Sequence, residues 1–326
     1  MFTLDELEAA AGIVHDVMPR TPQYAWPLLG ERAGCEVWVK HENHTPIGAF
    51  KLRGGLVYFN ELTRSGEPVS GVITATRGNH GQSIARASAR FDLPATIVVP
   101  HGNSVEKNKA MEAFGAELIQ YGVDFDEARV EADRLAEERN LHFVPSFHPW
   151  LVRGVATYAL ELLQAVKDLD TVYVPVGMGS GICGLITTRD LLGLKTKIVG
   201  VVAQNAPAYA TSFEAGEVRE TNSAETFADG MACRAPSRQA LETICKGAER
   251  IVKVSEDEIA SAMRAYYSDT HNLAEGAGAA SLAALLKEQA QMTGRKVSVI
   301  LSGGNVDAAL FDTVLNGGTP QLPPVV

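Results

Sequence analysis

Thr171-Val172-Tyr173-Val174-Pro175-Val176-Gly177-Met178-Gly179-Ser180-Gly181-Ile182-Cys183-Gly184 is the stretch whose reading decides the fold. Residues 171–174 are β-branched or aromatic and show no polar face, as in a strand buried within a parallel sheet. A glycine-rich turn follows at 177–181 and leads into a helical pattern. Strand, glycine turn and helix together make the repeating unit of an α/β fold, whose ligands bind at the carboxyl ends of the strands. Glycines there let backbone N–H groups close on an anion at a helix N-terminus, where the helix dipole also favours negative charge.

The same alternation runs through the chain on both sides. Val72-Ile73-Thr74-Ala75, Thr96-Ile97-Val98-Val99 and Glu117-Leu118-Ile119-Gln120 read as strands. So do Lys197 to Val202 and Val297-Ser298-Val299-Ile300-Leu301. Helical patterns at Phe125 to Arg139, Val155 to Lys167 and Ser255 to Tyr267 fill the gaps, which implies right-handed βαβ units. Only the tail Pro320 to Val326 reads as loosely held.

Polar stretches recur where strands end. Thr76-Arg77-Gly78-Asn79-His80 follows one strand and Ser302-Gly303-Gly304-Asn305 the last, while Ala49-Phe50-Lys51-Leu52-Arg53-Gly54 precedes or opens a helix. Taken singly each is ambiguous: Asn79 suits a helix cap, Ser302 can simply end a strand, and most lysines are solvated charges. A lysine accompanied by a phosphate cradle and two polar loops suggests a Schiff base to pyridoxal phosphate (PLP). That cofactor needs a carbonyl trap, a phosphate anchor and partners for its ring oxygen and ring nitrogen. Residues 179–184 also spell G-x-G-x-x-G, the fingerprint of a dinucleotide fold. That rival wants an acidic residue roughly 20 positions on, at the end of the next strand. Here that strand ends at Val202-Ala203-Gln204, with no acid.

Bulk composition narrows the function classes. A chain of 326 residues with 29 basic and 39 acidic side chains carries a net charge of −10. That lacks the basic face needed to grip nucleic acid. No apolar run approaches the ~20 residues of a membrane-spanning helix, so no membrane partner is expected. Cys35, Cys183, Cys233 and Cys245 form neither a C-x-x-C pair nor a metal-ligand spacing. With no signal peptide at the start, the expected location is the cytoplasm.

These stretches resemble the fold-type II PLP enzymes, on the branch of the serine/threonine dehydratases and serine racemases. The family pattern Ser-Phe-Lys-x-Arg-Gly appears as Ala49-Phe50-Lys51-Leu52-Arg53-Gly54, and its Gly-Asn-His as Gly78-Asn79-His80. Its glycine phosphate loop appears at Pro175 to Gly181 and its Ser-Gly-Gly-Asn at Ser302 to Asn305. Ala228-Asp229-Gly230 and Glu275-Gly276-Ala277-Gly278 are similar to two further segments near the ring. The likeness spans nearly the whole chain, in order.

The resemblance implies a tryptophan synthase β-like fold of two domains, each a mostly parallel sheet flanked by helices. Residues 1–46 with 151–326 would form a large PLP-binding domain, and 47–150 a small one that closes over the site. Lys51 would hold the cofactor by its amine, beside Phe50. Asn79 would bind the ring oxygen, Gly177, Met178, Gly179, Ser180 and Gly181 the phosphate, and Ser302 the ring nitrogen, with Gly230 and Glu275 close by. Thr76, Arg77, Gly78 and His80 would meet an amino acid substrate. The implied reaction is β-elimination from a β-hydroxy-α-amino acid, threonine or serine by default, to a 2-oxo acid and ammonia. The aromatic Phe147-His148-Pro149-Trp150, taken as a pocket segment, and the small Ala49 suggest 3-phenylserine, while Arg77 suggests 3-hydroxyaspartate. A β-replacement synthase, a dinucleotide oxidoreductase and a non-catalytic PLP-binding protein are the rival readings, and a homodimer is the expected assembly.

The departures from the pattern also carry expectations. Racemases place a second base just before Gly-Asn-His; Arg77 stands there and cannot shuttle a proton, so elimination is favoured over racemisation. Relatives with a divalent cation carry an acid after the Ile-Val-Gly-Val strand. Here Val202-Ala203-Gln204-Asn205-Ala206-Pro207 offers none, so no metal is expected. The chain ends soon after Ser302, so an amino-acid-sensing regulatory domain is not expected.

Overall fold

The described residues form ten strands in two sheets, numbered here in chain order. A computed structural model describes residues 1–321; most of the tail read as loosely held, residues 322–326, lies outside it. The larger sheet runs β1 (Gln23–Ala25), β2 (Glu36–His41), β10 (Lys296–Leu301), β7 (Thr171–Pro175), β8 (Lys197–Ala203), β9 (Arg250–Val254). All its pairs are parallel except β1 with β2. The smaller sheet, order β5 (Glu117–Gln120), β4 (Ala95–Val99), β3 (Val72–Ala75), β6 (His142–Phe143), is parallel throughout.

Helices cover both faces of each sheet, which is why the central strands are apolar on both sides. In the smaller sheet Val72 and Ile97 face the helices Lys51–Arg64 and Asn79–Arg90, while Ile73 and Val98 face the helix Phe125–Glu138. The helix Leu4–His15 contributes to two cores: Ala10 and Val14 join that of the smaller sheet, Leu7 and Ala11 that of the larger.

Local signals explain the helix ends. Asp124 caps Phe125–Glu138 by accepting from the Glu127 N–H, and Ser255 with Glu258 forms a capping box on Glu256–Thr270. The helix expected from Val155 begins earlier, at Pro149. Proline fits a first turn, and the His148 side chain caps it by accepting from the Trp150 N–H.

Three of the suspect loops end strands: 76–78 after β3, 176–179 after β7 and 302–307 after β10. The fourth segment is stitched to the last of these. Phe50 N–H donates to the Ser302 carbonyl at 3.0 Å, Gly304 N–H to the Gly48 carbonyl at 2.9 Å, and the Asn305 amide to the Ile47 carbonyl at 2.8 Å. The helix that opens at Lys51 packs on Asn79–Arg90 and Pro149–Ala165, yet its first residue points into the cleft between the two sheets. Among the described residues no helix is long and apolar enough to cross a membrane.

Candidate active site

One cavity collects the residues expected to hold the cofactor and meet the substrate: Phe50 and Lys51; Thr76 to His80; Gly177 to Gly181; Gly230; Glu275; and Ser302. Lys107, Phe125, Asp229 and Cys233 line it too.

Lys51 stands at the first turn of its helix with its Nζ 3.3 Å from the Ser180 hydroxyl and 4.9 Å from the centre of the Phe50 ring. Burial, with no anion to offset it, pushes its amine down to about 8. A lysine in that state is readily neutral and nucleophilic.

Beyond Lys51 lies the glycine turn. Gly179 adopts the left-handed conformation (φ 94°) just before the helix Ser180–Leu191, so free N–H groups face the cavity's end. Two tyrosines brace the turn from behind: Tyr209 donates to the Met178 carbonyl at 2.9 Å, and Tyr158 to the Gly181 carbonyl at 3.0 Å. Gly177 has no room to be anything else, because a Cβ there would lie 2.2 Å from the Gly230 carbonyl oxygen. Overpacking of that kind costs about 1–3 kcal/mol. Gly177→Ala is therefore expected to weaken PLP retention by roughly 5- to 150-fold, measured by equilibrium dialysis. Retention equal to wild type would mean that the two loops need not touch.

The loop after β3 is organised by Thr76, whose hydroxyl accepts from the N–H groups of Gly78 (3.0 Å) and Gly81 (3.3 Å). The Gly78 N–H, one of the groups expected to meet the substrate, is thus already taken. Burial, with Lys51 nearby, drives His80 down to about 3, so it is neutral. Arg77 is half-buried, lines the cavity, and has no ion-pair or hydrogen-bond partner for its guanidinium among the described residues.

Asn79 is more constrained than a cap would be. Its amide nitrogen donates to Glu275 Oε1 at 2.6 Å, and its carbonyl accepts from Asn305 Nδ2 at 2.8 Å. Glu275 in turn meets Lys107, whose Nζ lies 3.0 Å from Glu275 Oε2 and 2.6 Å from Asp229 Oδ2. Burial pushes the Glu275 carboxyl up, partly offset by Lys107. Lys107 was not among the expected site residues. It sits in Val105-Glu106-Lys107-Asn108-Lys109, which reads as an ordinary charged helix face.

One expectation is overturned. Phe147, His148, Pro149 and Trp150 do not line the cavity, although Ser146 does. Because Pro149 opens a helix there, His148 and Trp150 turn to Tyr58 instead, with ring centres 5.2 and 5.6 Å from it. Ala49 is fully buried in a bridge to Gly303 and leaves no extra space in the cavity. Neither residue set supports a bulky aryl substrate.

The residues present fit PLP. It needs an amine free to condense, backbone donors for a phosphate, a donor for the ring oxygen and a partner for the ring nitrogen. Lys51 supplies the first, the turn 177–181 the second, the unspent N–H of Asn79 the third, and the buried Ser302 hydroxyl the fourth.

Comparison with known proteins agrees. The family described as pyridoxal-phosphate dependent enzyme matches residues 14–303. The L-threonine ammonia-lyase of Thermotoga maritima is 34% identical over 319 residues, 98% of this chain and 79% of its own. The biosynthetic L-threonine dehydratase of Haemophilus influenzae is 33% identical over 90% of this chain but only 58% of its own length. Among solved structures, threonine deaminase isoform 2 from Solanum lycopersicum superposes with a TM-score of 0.88 at 30% identity, covering 97% of this chain and 94% of that one. Maize serine racemase gives 0.89 at 25% identity, covering 96% and 97%. This excludes the dinucleotide reading of the glycine turn: the chain belongs to the pyridoxal-phosphate dependent enzymes.

Proposed function

We propose that this enzyme is an ammonia-lyase that converts a β-hydroxy-α-amino acid, threonine or serine, to a 2-oxo acid and ammonia. The observation that carries the reading is the proton inventory of the cavity. Lys51, near 8, exchanges a proton readily. Arg77 is permanently charged, and His80 stays neutral down to about 3. Cys233 is pushed up to about 12 by burial, while Lys107 is engaged with both Asp229 and Glu275. One base on one side suits elimination; racemisation needs a second. The names of the most similar relatives point the same way.

Bound PLP supplies an electron sink for charge developing at Cα. With substrate held on the cofactor, the Lys51 amine would stand free and neutral in a desolvated site, where it would accept the Cα proton. The same amine, now charged, is placed to give a proton to the departing β-hydroxyl. Water leaves, the Lys51 amine, neutral again, would retake its place on the cofactor, and the 2-amino-2-enoic acid so released tautomerises and takes up one water to yield the 2-oxo acid and ammonia. Asn79 and Ser302 orient the ring, and the turn 177–181 holds the phosphate. The loop Thr76 to His80 receives the substrate carboxylate through the N–H groups that Thr76 leaves free.

Because the free amine must be neutral to accept a proton, kcat is expected to rise with pH through about 8 and level off above it. A kcat independent of pH across that range would remove Lys51 as the base.

Further parts of the reading concern the whole molecule. Residues 47–150 act as a small domain that closes on the rest, 1–46 and 151–326. A homodimer is supported by the exposed Tyr24 and Leu28 beside edge strand β1, and light scattering tests it. A cytoplasmic location is consistent with four unpaired cysteines.

A second substrate reading rests on Arg77, whose unpaired guanidinium can take a second carboxylate, as in 3-hydroxyaspartate. Release of 2-oxo acid from threonine, serine, 3-phenylserine and 3-hydroxyaspartate separates these. Threonine or serine is expected to lead. Preference for hydroxyaspartate, lost in Arg77→Ala, would install the second reading; release from none of the four would sink both.

A further inference from the structure

Lys107 is the second lysine of the cavity, and the mechanism above gives it no task. It belongs to the helix Val105–Ala113, beside the smaller sheet, and its stem crosses directly over Gly78, where a Cβ would come within 2.4 Å of Lys107 Cδ. Its ammonium bridges Asp229 and Glu275, which belong to segments beside the larger sheet, at 2.6 and 3.0 Å. The helix start is pinned across the same gap by Ser104 Oγ to Asp307 Oδ1 at 2.5 Å and by Ala308 N–H to Glu106 Oε1 at 2.9 Å.

The consequence lies one bond further on. With Glu275 ionised, the Asn79 amide can sit only one way round. Turning it over would set its carbonyl against a carboxylate oxygen and its NH₂ against the Asn305 NH₂. A protonated Glu275 could donate, and the barrier to flipping would go. Burial and Asp229 both favour that proton, and Lys107 is the cation that opposes it.

We propose that Lys107 is a positioning residue that keeps Glu275 a carboxylate and so fixes the Asn79 amide, leaving one N–H free for the cofactor's ring oxygen. The same bridge ties approach of the smaller-sheet side to that orientation. The inference rests on the role given to Asn79, and the experiment below uses no substrate, so failure of the ammonia-lyase reading leaves it intact.

The charged or titratable groups facing Glu275 and the cofactor are Lys107, Asp229, Lys51, His80, Arg77 and Cys233. The visible absorption of purified holoenzyme is followed against pH, and the PLP dissociation constant is measured, for wild type, Lys107→Met, Glu275→Gln and Lys107→Met/Glu275→Gln. Lys107→Met is expected to show a pH-dependent step that wild type lacks, together with roughly 5- to 100-fold weaker PLP binding on its acid side. The step is expected to vanish in the double variant, because glutamine cannot titrate yet still accepts from Asn79. If Lys107→Met does not fold, Glu275→Gln and the double variant are expected to share one spectrum and one PLP affinity within about 2-fold. A Lys107→Met spectrum matching wild type at every pH, a step that persists beside Gln at 275, or unequal Glu275→Gln and double-variant spectra would overturn the proposal.

Discussion

Lys51→Ala is expected to lower turnover by at least about 10³-fold, because one substitution would remove both the proposed covalent anchor of the cofactor and the proposed base for the Cα proton. The visible absorption of the lysine-bound cofactor should disappear with it. Folding should hardly change. The Lys51 amine contributes one 3.3 Å hydrogen bond and a ring contact, and its lowered basicity shows that burial disfavours its charge. Equal melting temperatures for variant and wild type, with activity lost, would separate this role from a structural one. Retention of the absorption band in Lys51→Ala would place the cofactor's anchor elsewhere.

The largest effect on stability is expected from Arg53→Met. Arg53 is fully buried two residues beyond Lys51. Its guanidinium holds Glu42 through Nε (2.7 Å) and Nη2 (3.0 Å), and Glu161 through Nη1 (2.7 Å) and Nη2 (3.0 Å). Lys40, also fully buried, adds 2.6 Å to Glu161, and Thr21 donates to Glu42 at 2.6 Å. Removing Arg53 leaves two buried carboxylates with Lys40 as the one fully buried cation, beside the His15 ring 2.9 Å from Glu161, which costs about 3–5 kcal/mol. Urea unfolding should show that loss as a lower midpoint with an unchanged slope.

The same cluster sets an acid limit. Although burial pushes the Glu161 carboxyl up, Arg53 and Lys40 outweigh it and hold it down near 2, below its ordinary 4.5. A carboxyl depressed in the folded state contributes stability above its unfolded value, which is lost as pH falls from about 4.5 towards about 2. In Arg53→Met that loss should be smaller and complete at higher pH, since the depression is weaker. An Arg53→Met protein as stable as wild type would mean that the cluster relaxes or is hydrated.

What could be read from the chain follows from how each feature is encoded. β3 and β5 span the residues expected of them, Val72–Ala75 and Glu117–Gln120. Short β-branched runs between turn residues have few other options. β2 escaped because Glu36-Val37-Trp38-Val39-Lys40-His41 shows charge where a buried strand should show none. Lys40 is fully buried, its charge met by Glu161 and not by water. β9 escaped for a milder reason: Arg250 and Lys253 sit on an edge strand, Arg250 in a partly buried pair with Glu288 and Lys253 in an exposed one with Glu214.

The site divides along similar lines. Glycine turns and strand-end polar loops are local patterns, and Gly177 to Gly181, Thr76 to His80 and Ser302 from them all line the cavity. Lys107 and the two bracing tyrosines are defined only by distant partners, such as Lys107 with Glu275, 168 positions away. The aromatic run at 147–150 misled because aromatic density marks a cluster and not its position. Pro149 turns that cluster towards Tyr58.

The central claim is that a single amine, Lys51, moves the protons, and that elimination follows for want of a second base. Its most direct test is the product balance of the holoenzyme with L-serine or L-threonine in D₂O. The account predicts equal amounts of 2-oxo acid and ammonia, with no D-isomer and no inverted substrate carrying deuterium at Cα. Accumulation of the D-isomer, or turnover without ammonia, would contradict it.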